Sequence, residues 1–174
     1  MTAATHRQRR QNARAKGTAA ALAVIAALTL TGCGSSSDTD GAAPQSTQAQ
    51  STQEANRALV LEFYDGFFNR HDPAAASVIA DNYKQHNPQV PDGKAAFVDL
   101  LTANFAMNPN SKATVVRSAV DGDLVYLHVH STNGPDDRGQ AIVDIFRVDN
   151  GAIVEHWDVI QPVPQTAANS NTMF

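Results

Sequence analysis

Four Val/Ile-rich runs fill the last part of the chain, and the turns between them leave little choice in how they pair. The runs are Ala113–Val120, Leu124–Ser131, Gln140–Val148 and Ala152–Gln161. Asp121-Gly122-Asp123 and Asp149-Asn150-Gly151 are short hairpin connections, and Thr132–Gly139, with two Asp, a Pro and two Gly, is a longer loop. Strands joined this way lie beside one another in antiparallel order, and Pro162 and Pro164 end the last one.

The preceding segment is helical. Ser51-Thr52-Gln53-Glu54 has the form of a capping box, and Leu59, Phe63 and Phe67 then recur at i, i+4, i+8 with Val60, Tyr64 and Phe68 alongside. This predicts a helix from Ser51 that stops before Asn69-Arg70-His71-Asp72-Pro73. Pro73 opens a short second helix over Ala74–Ala80, and Gly93 precedes a third over Lys94–Asn108. Between them Tyr83, Gln85 and Asn87 alternate with Lys84 and His86, as in a short strand. Helices first and antiparallel strands after them make an α+β domain.

Ahead of the domain, the 174-residue chain starts with five cations (Arg7, Arg9, Arg10, Arg14, Lys16) and an uncharged apolar run, Gly17–Leu30. That run falls short of the ~20 residues a membrane span needs, and a basic start with a short apolar core is the pattern of a secretory signal. Leu30-Thr31-Gly32-Cys33 resembles a bacterial lipobox, and Cys33 is the only cysteine. The resemblance implies cleavage after residue 32 and an acylated Cys33 that holds the protein on the outer face of the cell membrane. The alternatives are an ordinary cleaved signal with a chance cysteine and an uncleaved anchor. Residues 33–52, poor in large apolar groups, are expected to be a flexible tether with a root-mean-square span of roughly 25 Å. The leader takes five of the 13 Lys+Arg and none of the 17 Asp+Glu, so eight basic residues face 17 acidic ones in the remainder. Such a body lacks the basic footprint of a nucleic-acid binder.

Ionisable groups recur among large apolar neighbours on three adjacent strands. Tyr126, His128 and His130 share one face of their strand, and Asp144 shares a face with Ile142, Phe146 and Val148. In the last run Val154, His156, Asp158 and Ile160 share a face, with Glu155 and Trp157, the only Trp, on the other. His128 or His130, Asp144, His156 and Asp158 are expected to meet at one concavity walled by Tyr126 and Phe146. Three readings follow: a metal site on the His128/His130 pair, a His–Asp pair for acid/base work, or hydrogen bonding on an exposed sheet face. No third metal ligand stands at a diagnostic spacing, so neither a metal nor another cofactor is assigned.

Tyr83-Lys84-Gln85-His86-Asn87-Pro88, Gly93 with Phe97, Asp144-Ile145-Phe146-Arg147, Gly151, Ile153 and Glu155-His156-Trp157-Asp158-Val159-Ile160-Gln161 together resemble the SnoaL-like, polyketide cyclase-like branch of the nuclear transport factor 2-like superfamily. The ending Asn171-Thr172-Met173-Phe174 is similar too, and the resemblance spans residues 53–174. It implies a cone: a strongly curved antiparallel sheet wrapped around three N-terminal helices, with a pocket at the wide end. It implies Asp158 as acid/base, His156 assisting, and His86 and His128 as pocket partners. His130, Tyr126, Asp144, Phe146 and Trp157 complete the candidate binding set. The ligand class is a small apolar carbonyl compound, taken without cofactor by a lyase, isomerase or hydrolase. The same cone also serves domains that only bind a ligand or partner, and the outer sheet face, with Trp157 and Val159, is a candidate homodimer contact.

Overall fold

Hairpin signals and apolar periodicity decide most of the architecture. The structure, a computed structural model, describes residues 43–174. Cys33, the leader and the first part of the tether lie outside the described residues. Helix α1 spans Ala43–Tyr64 and runs on into a π-helical turn, Asp65–Asn69, closed by the Arg70 N–H donating to the Asp65 carbonyl at 3.1 Å. A 3₁₀ turn, Pro73–Val78, follows and is capped by Asp72, whose carboxylate accepts from Ala74 N at 2.9 Å. Strand β1 (Ile79–Gln85) precedes α2 (Lys94–Met107), and the four expected strands complete the chain as β2 (Lys112–Asp121), β3 (Leu124–Thr132), β4 (Gln140–Asp149) and β5 (Ala152–Pro162).

Helix α1 starts eight residues before the expected cap. Ser51 lies within it, and its hydroxyl donates back to the Gln48 carbonyl at 2.8 Å instead of capping. The latter part of the segment expected as tether, from Ala43, is therefore helical, and residues 47–52 are exposed. Its polar composition hid the helix, because no apolar stripe runs through that half.

The sheet order is β1-β5-β4-β3-β2, open at both edges. β2 to β5 pair antiparallel in sequence, while β1 lies parallel to β5. Register shifts interrupt three of the four ladders, between Ile79 and Lys84, Val115 and Arg117, and Arg147 and Val148, and such bulges add the local bend and twist that curve a sheet. The α+β cone is thus a five-stranded, mostly antiparallel, curved sheet that does not close.

The concave face carries the core. Val60, Phe63 and Tyr64 from α1, Phe67 from the π-helical turn, Phe97 and Phe105 from α2, and Val125, Leu127, Val129, Phe146, Val148 and Ile153 from the strands are all buried. Phe67 stacks on Phe97 at 5.2 Å between ring centroids. Asn69 fastens the end of the π-helical turn to edge strand β2 as a strand residue would: its side chain accepts from Ala113 N at 2.8 Å and donates to Ala113 O at 3.2 Å.

Candidate functional site

A cavity of about 190 Å³ opens between the helices and the concave face of β4 and β5. Phe68, Val90, Phe97, Leu101, Phe105, Ile142 and Ile160 contribute its apolar wall. Six of its polar lining residues form one connected group, Tyr64, Gln85, Asn87, Asp144, His156 and Asp158, while Asn104, Ser111, Lys112, Ser131 and Asn133 line it separately.

Strand pairing assembles that group. Asp144 lies opposite Asp158 across β4 and β5, and Gln85 lies opposite His156 across β1 and β5. Asp144 is 5% and His156 6% exposed, so neither can rely on water and each must find partners in the protein. Asp144 Oδ2 accepts from the Tyr64 hydroxyl at 2.7 Å, and Asp144 Oδ1 lies 3.0 Å from His156 Nε2. His156 Nδ1 lies 3.0 Å from Gln85 Oε1, and the imidazole packs on Phe146 at 4.6 Å. Asp158 is half-buried and accepts from Asn87 Nδ2 at 2.7 Å through Oδ2 alone, so its other oxygen has no protein donor among the described residues. Burial pushes the Tyr64 hydroxyl well above the usual tyrosine range, and the nearby Asp144 carboxylate adds to that, so Tyr64 stays a donor. Tyr83 is raised for the same leading reason, burial.

One oxygen or nitrogen from each of Asp144, His156 and Asp158 comes within 4.8 Å of the others, a spacing a metal ion could use. Both His156 nitrogens and both Asp144 oxygens are engaged by Gln85, by Tyr64 and by each other, which leaves one Asp158 oxygen as the uncommitted ligand atom of the three, and no buried side-chain polar atom lacks a partner among the described residues. The arrangement suits proton transfer better than metal ligation.

Of the residues singled out in the sequence, the cavity brings together Asp144, His156 and Asp158, with Phe146 behind His156. The others lie elsewhere. On β3 the buried residues are Val125, Leu127 and Val129, and Leu127 is the one opposite Asp144, so Tyr126, His128 and His130 project from the convex face. There His128 Nδ1 accepts from Arg117 at 2.8 Å, His130 Nε2 meets the Arg138 carbonyl at 2.9 Å, and the His130 ring stacks on Phe174 at 4.2 Å. His86 and Trp157 also face outward, stacked at 4.6 Å and 8°. Arg147 lies 5.6 Å from the Trp157 ring, and Glu155 accepts from His86 at 2.8 Å and Arg147 at 3.0 Å. The hydrogen bond from His86 is the main cause that holds the Glu155 carboxyl below its usual range. Bulk decides the parity of β3: its Val and Leu side chains fill the concave face, and the polar three take the other.

Tyr64, Gln85 and Asn87 are site residues outside the candidate set that the sequence supports. Each left a signal. Tyr64 is the one hydroxyl in the aromatic stripe of α1, and Gln85 and Asn87 sit on the same parity as the buried Tyr83.

The family model for the SnoaL-like domain matches residues 60–156. Among solved structures, a Kribbella flavida protein provisionally assigned as a ketosteroid isomerase aligns at 20% identity with a TM-score of 0.55, over 67% of this chain and 85% of that one. A SnoaL-like protein of unknown function from Burkholderia thailandensis aligns at 17% identity and a TM-score of 0.55, over 63% of this chain and 96% of its own. An NTF2-like protein of unknown function from Mesorhizobium loti aligns at 27% identity and a TM-score of 0.52, over 63% and 93%. No curated protein gives a significant match.

Proposed function

The chain belongs to the SnoaL-like domain family, and from that premise we propose that its cavity takes a small, mainly apolar carbonyl compound and moves a proton on it without a cofactor. The observation that carries this reading is Asp158. It is a carboxylate with one oxygen uncommitted, facing the cavity across from its apolar wall and backed by a buried Asp144–His156 pair. A base so placed removes a proton next to a carbonyl, and amide donors among the lining residues, such as Asn104, would stabilise the charge that forms on the oxygen. A cavity of about 190 Å³ is close in size to the ~150 Å³ void known to hold benzene, so the part of the substrate enclosed is about one ring. Isomerisation, elimination and hydrolysis all begin from such a step.

The test is α-proton exchange from small cyclic ketones and enones in deuterated water, followed by NMR. The wild type is expected to accelerate exchange, and Asp158→Asn to lose about 10²- to 10⁴-fold of the acceleration. Full internal satisfaction of the buried side-chain polar groups among the described residues favours a second reading, a binding protein that performs no chemistry. Binding unchanged in Asp158→Asn, with no exchange catalysed by the wild type on any compound, would establish it in place of the first.

We further propose that the domain is exported and held on the outer face of the membrane by acyl chains on Cys33. Support comes from the basic start, the short apolar run and Leu30-Thr31-Gly32-Cys33. Labelled palmitate should enter the wild-type chain in a bacterial host and be lost from Cys33→Ser, which moves to the soluble fraction. Equal label in both would refute the anchor.

A further inference from the structure

The hydrogen bonds of Gln85 decide its amide orientation. Its Oε1 accepts from the backbone N–H of His86 at 2.9 Å and from that of Asn87 at 2.9 Å. A nitrogen at that position would set donor against donor, so the oxygen must be there. The third group at the same oxygen is His156 Nδ1, 3.0 Å away. An amide oxygen only accepts, so Nδ1 carries a hydrogen.

The other end of the ring is then constrained as well. His156 Nε2 faces Asp144 Oδ1 at 3.0 Å, while Asp144 Oδ2 is occupied by the Tyr64 hydroxyl. Two bare lone pairs at that separation repel, so one proton lies between them, on the nitrogen or on the oxygen. Carboxylate with imidazolium and carboxylic acid with imidazole differ only in where that proton sits. In either form the pair has no net charge, and Asp158 is left as the group able to carry unbalanced negative charge into the cavity.

We propose that Gln85 is a positioning residue that fixes His156 in its Nδ1–H form, commits both ring nitrogens to protein partners and leaves Asp158 as the only base. This deepens the acid/base reading of the same site and depends on it for catalytic meaning, though not for the tautomer. The protein supplies the means through β1: its parallel pairing puts Gln85 opposite His156, and the chain turn after it aims two N–H groups at one oxygen.

Long-range ¹H–¹⁵N correlation of the full chain labelled in histidine reads the tautomer directly, with His156 signals assigned by their loss in His156→Gln. The wild type should show a protonated Nδ1. Gln85→Glu keeps an acceptor oxygen and should retain it, whereas Gln85→Leu removes the acceptor and should leave Nδ1 bare, with the one ring hydrogen on Nε2, donating to Asp144. A bare Nδ1 in the wild type or in Gln85→Glu overturns the proposal, as does a folded Gln85→Leu with Nδ1 still protonated. Should the leucine variant fail to fold, the wild type and the glutamate variant still decide. A protonated Nδ1 together with no α-proton exchange would leave the positioning role standing and remove the catalytic reading, and exchange with a bare Nδ1 would do the reverse.

Discussion

Tyr64 joins the aromatic core to the polar group at a single atom. Its ring packs within the buried cluster, edge-on to Phe146 at 6.2 Å, and its hydroxyl reaches Asp144 at 2.7 Å. Tyr64→Phe keeps the ring and deletes the donor, so the packing term stays nearly constant while a buried carboxylate loses one of two partners. Hydrogen bonds to charged groups contribute roughly 1.5–3 kcal/mol, and the variant should be destabilised by about that amount in urea unfolding. A pH effect accompanies it. The folded-state Tyr64 hydroxyl titrates above its unfolded value, so its stabilising contribution is complete below about pH 10 and is lost as pH rises beyond that. Tyr64→Phe should therefore lose stability less steeply than the wild type in the alkaline range. Tyr83, which meets Gln85 Nε2 only at 3.4 Å, provides the control, and Tyr83→Phe should cost less than Tyr64→Phe at neutral pH. Equal effects from the two would show that the Asp144 contact stabilises little.

Elements show which features a linear reading can reach. β2 to β5 lie within a residue or so of their expected limits, because hairpin turns and Val/Ile runs are local signals and their pairing follows from short connections. In the loop between β3 and β4, Gly139 has φ +74, and a Cβ there would come within 2.0 Å of the Ser131 carbonyl, so the turn requires the glycine its position suggested. Long-range features were less accessible. The parallel pairing of β1 with β5 places Gln85 and Asn87 in the site, and 71 residues separate Gln85 from His156. The bulge near Val154 shows the same limit. Ile153 and His156, of opposite parity, are both buried, because Arg147 pairs with Glu155 and Val148 with Ile153, which leaves Val154 outside the ladder. Strict alternation put Val154 with His156, and the face holds only from His156 onward, through Asp158 and Ile160. On β3, alternation separated the two faces correctly but not which one turned inward. That choice was made by the volume the core had to fill, and it took His128 and His130 away from the site.

At the scale of the whole molecule, the convex sheet face presents a surface of different character from the pocket. Val143 and Val159, 42% and 71% exposed, are partners across β4 and β5, and the next pair outward is Ile145 with Trp157. Trp157 stacks on His86 and has Arg147 over its ring, contacts that pre-order an aromatic able to bury area at small entropic cost. We propose that a second copy covers this patch in a two-fold arrangement, where one patch serves both subunits. A charge at its centre would be desolvated twice, once from each copy, so Val159→Lys should weaken self-association by at least about tenfold, or about 1.4 kcal/mol. The chain should be studied from Gly34 onward, because a cut at Gln53 would remove the first half of α1. Light scattering across a concentration series should show dimer for the wild type and monomer for Val159→Lys, with the α-proton exchange rate of the two equal, since Val159 does not line the cavity. A wild type that stays monomeric at all concentrations would dispose of the dimer. An exchange rate that fell along with the dimer would mean that the cavity's shape depends on the neighbouring copy, a coupling the separation of the two faces argues against.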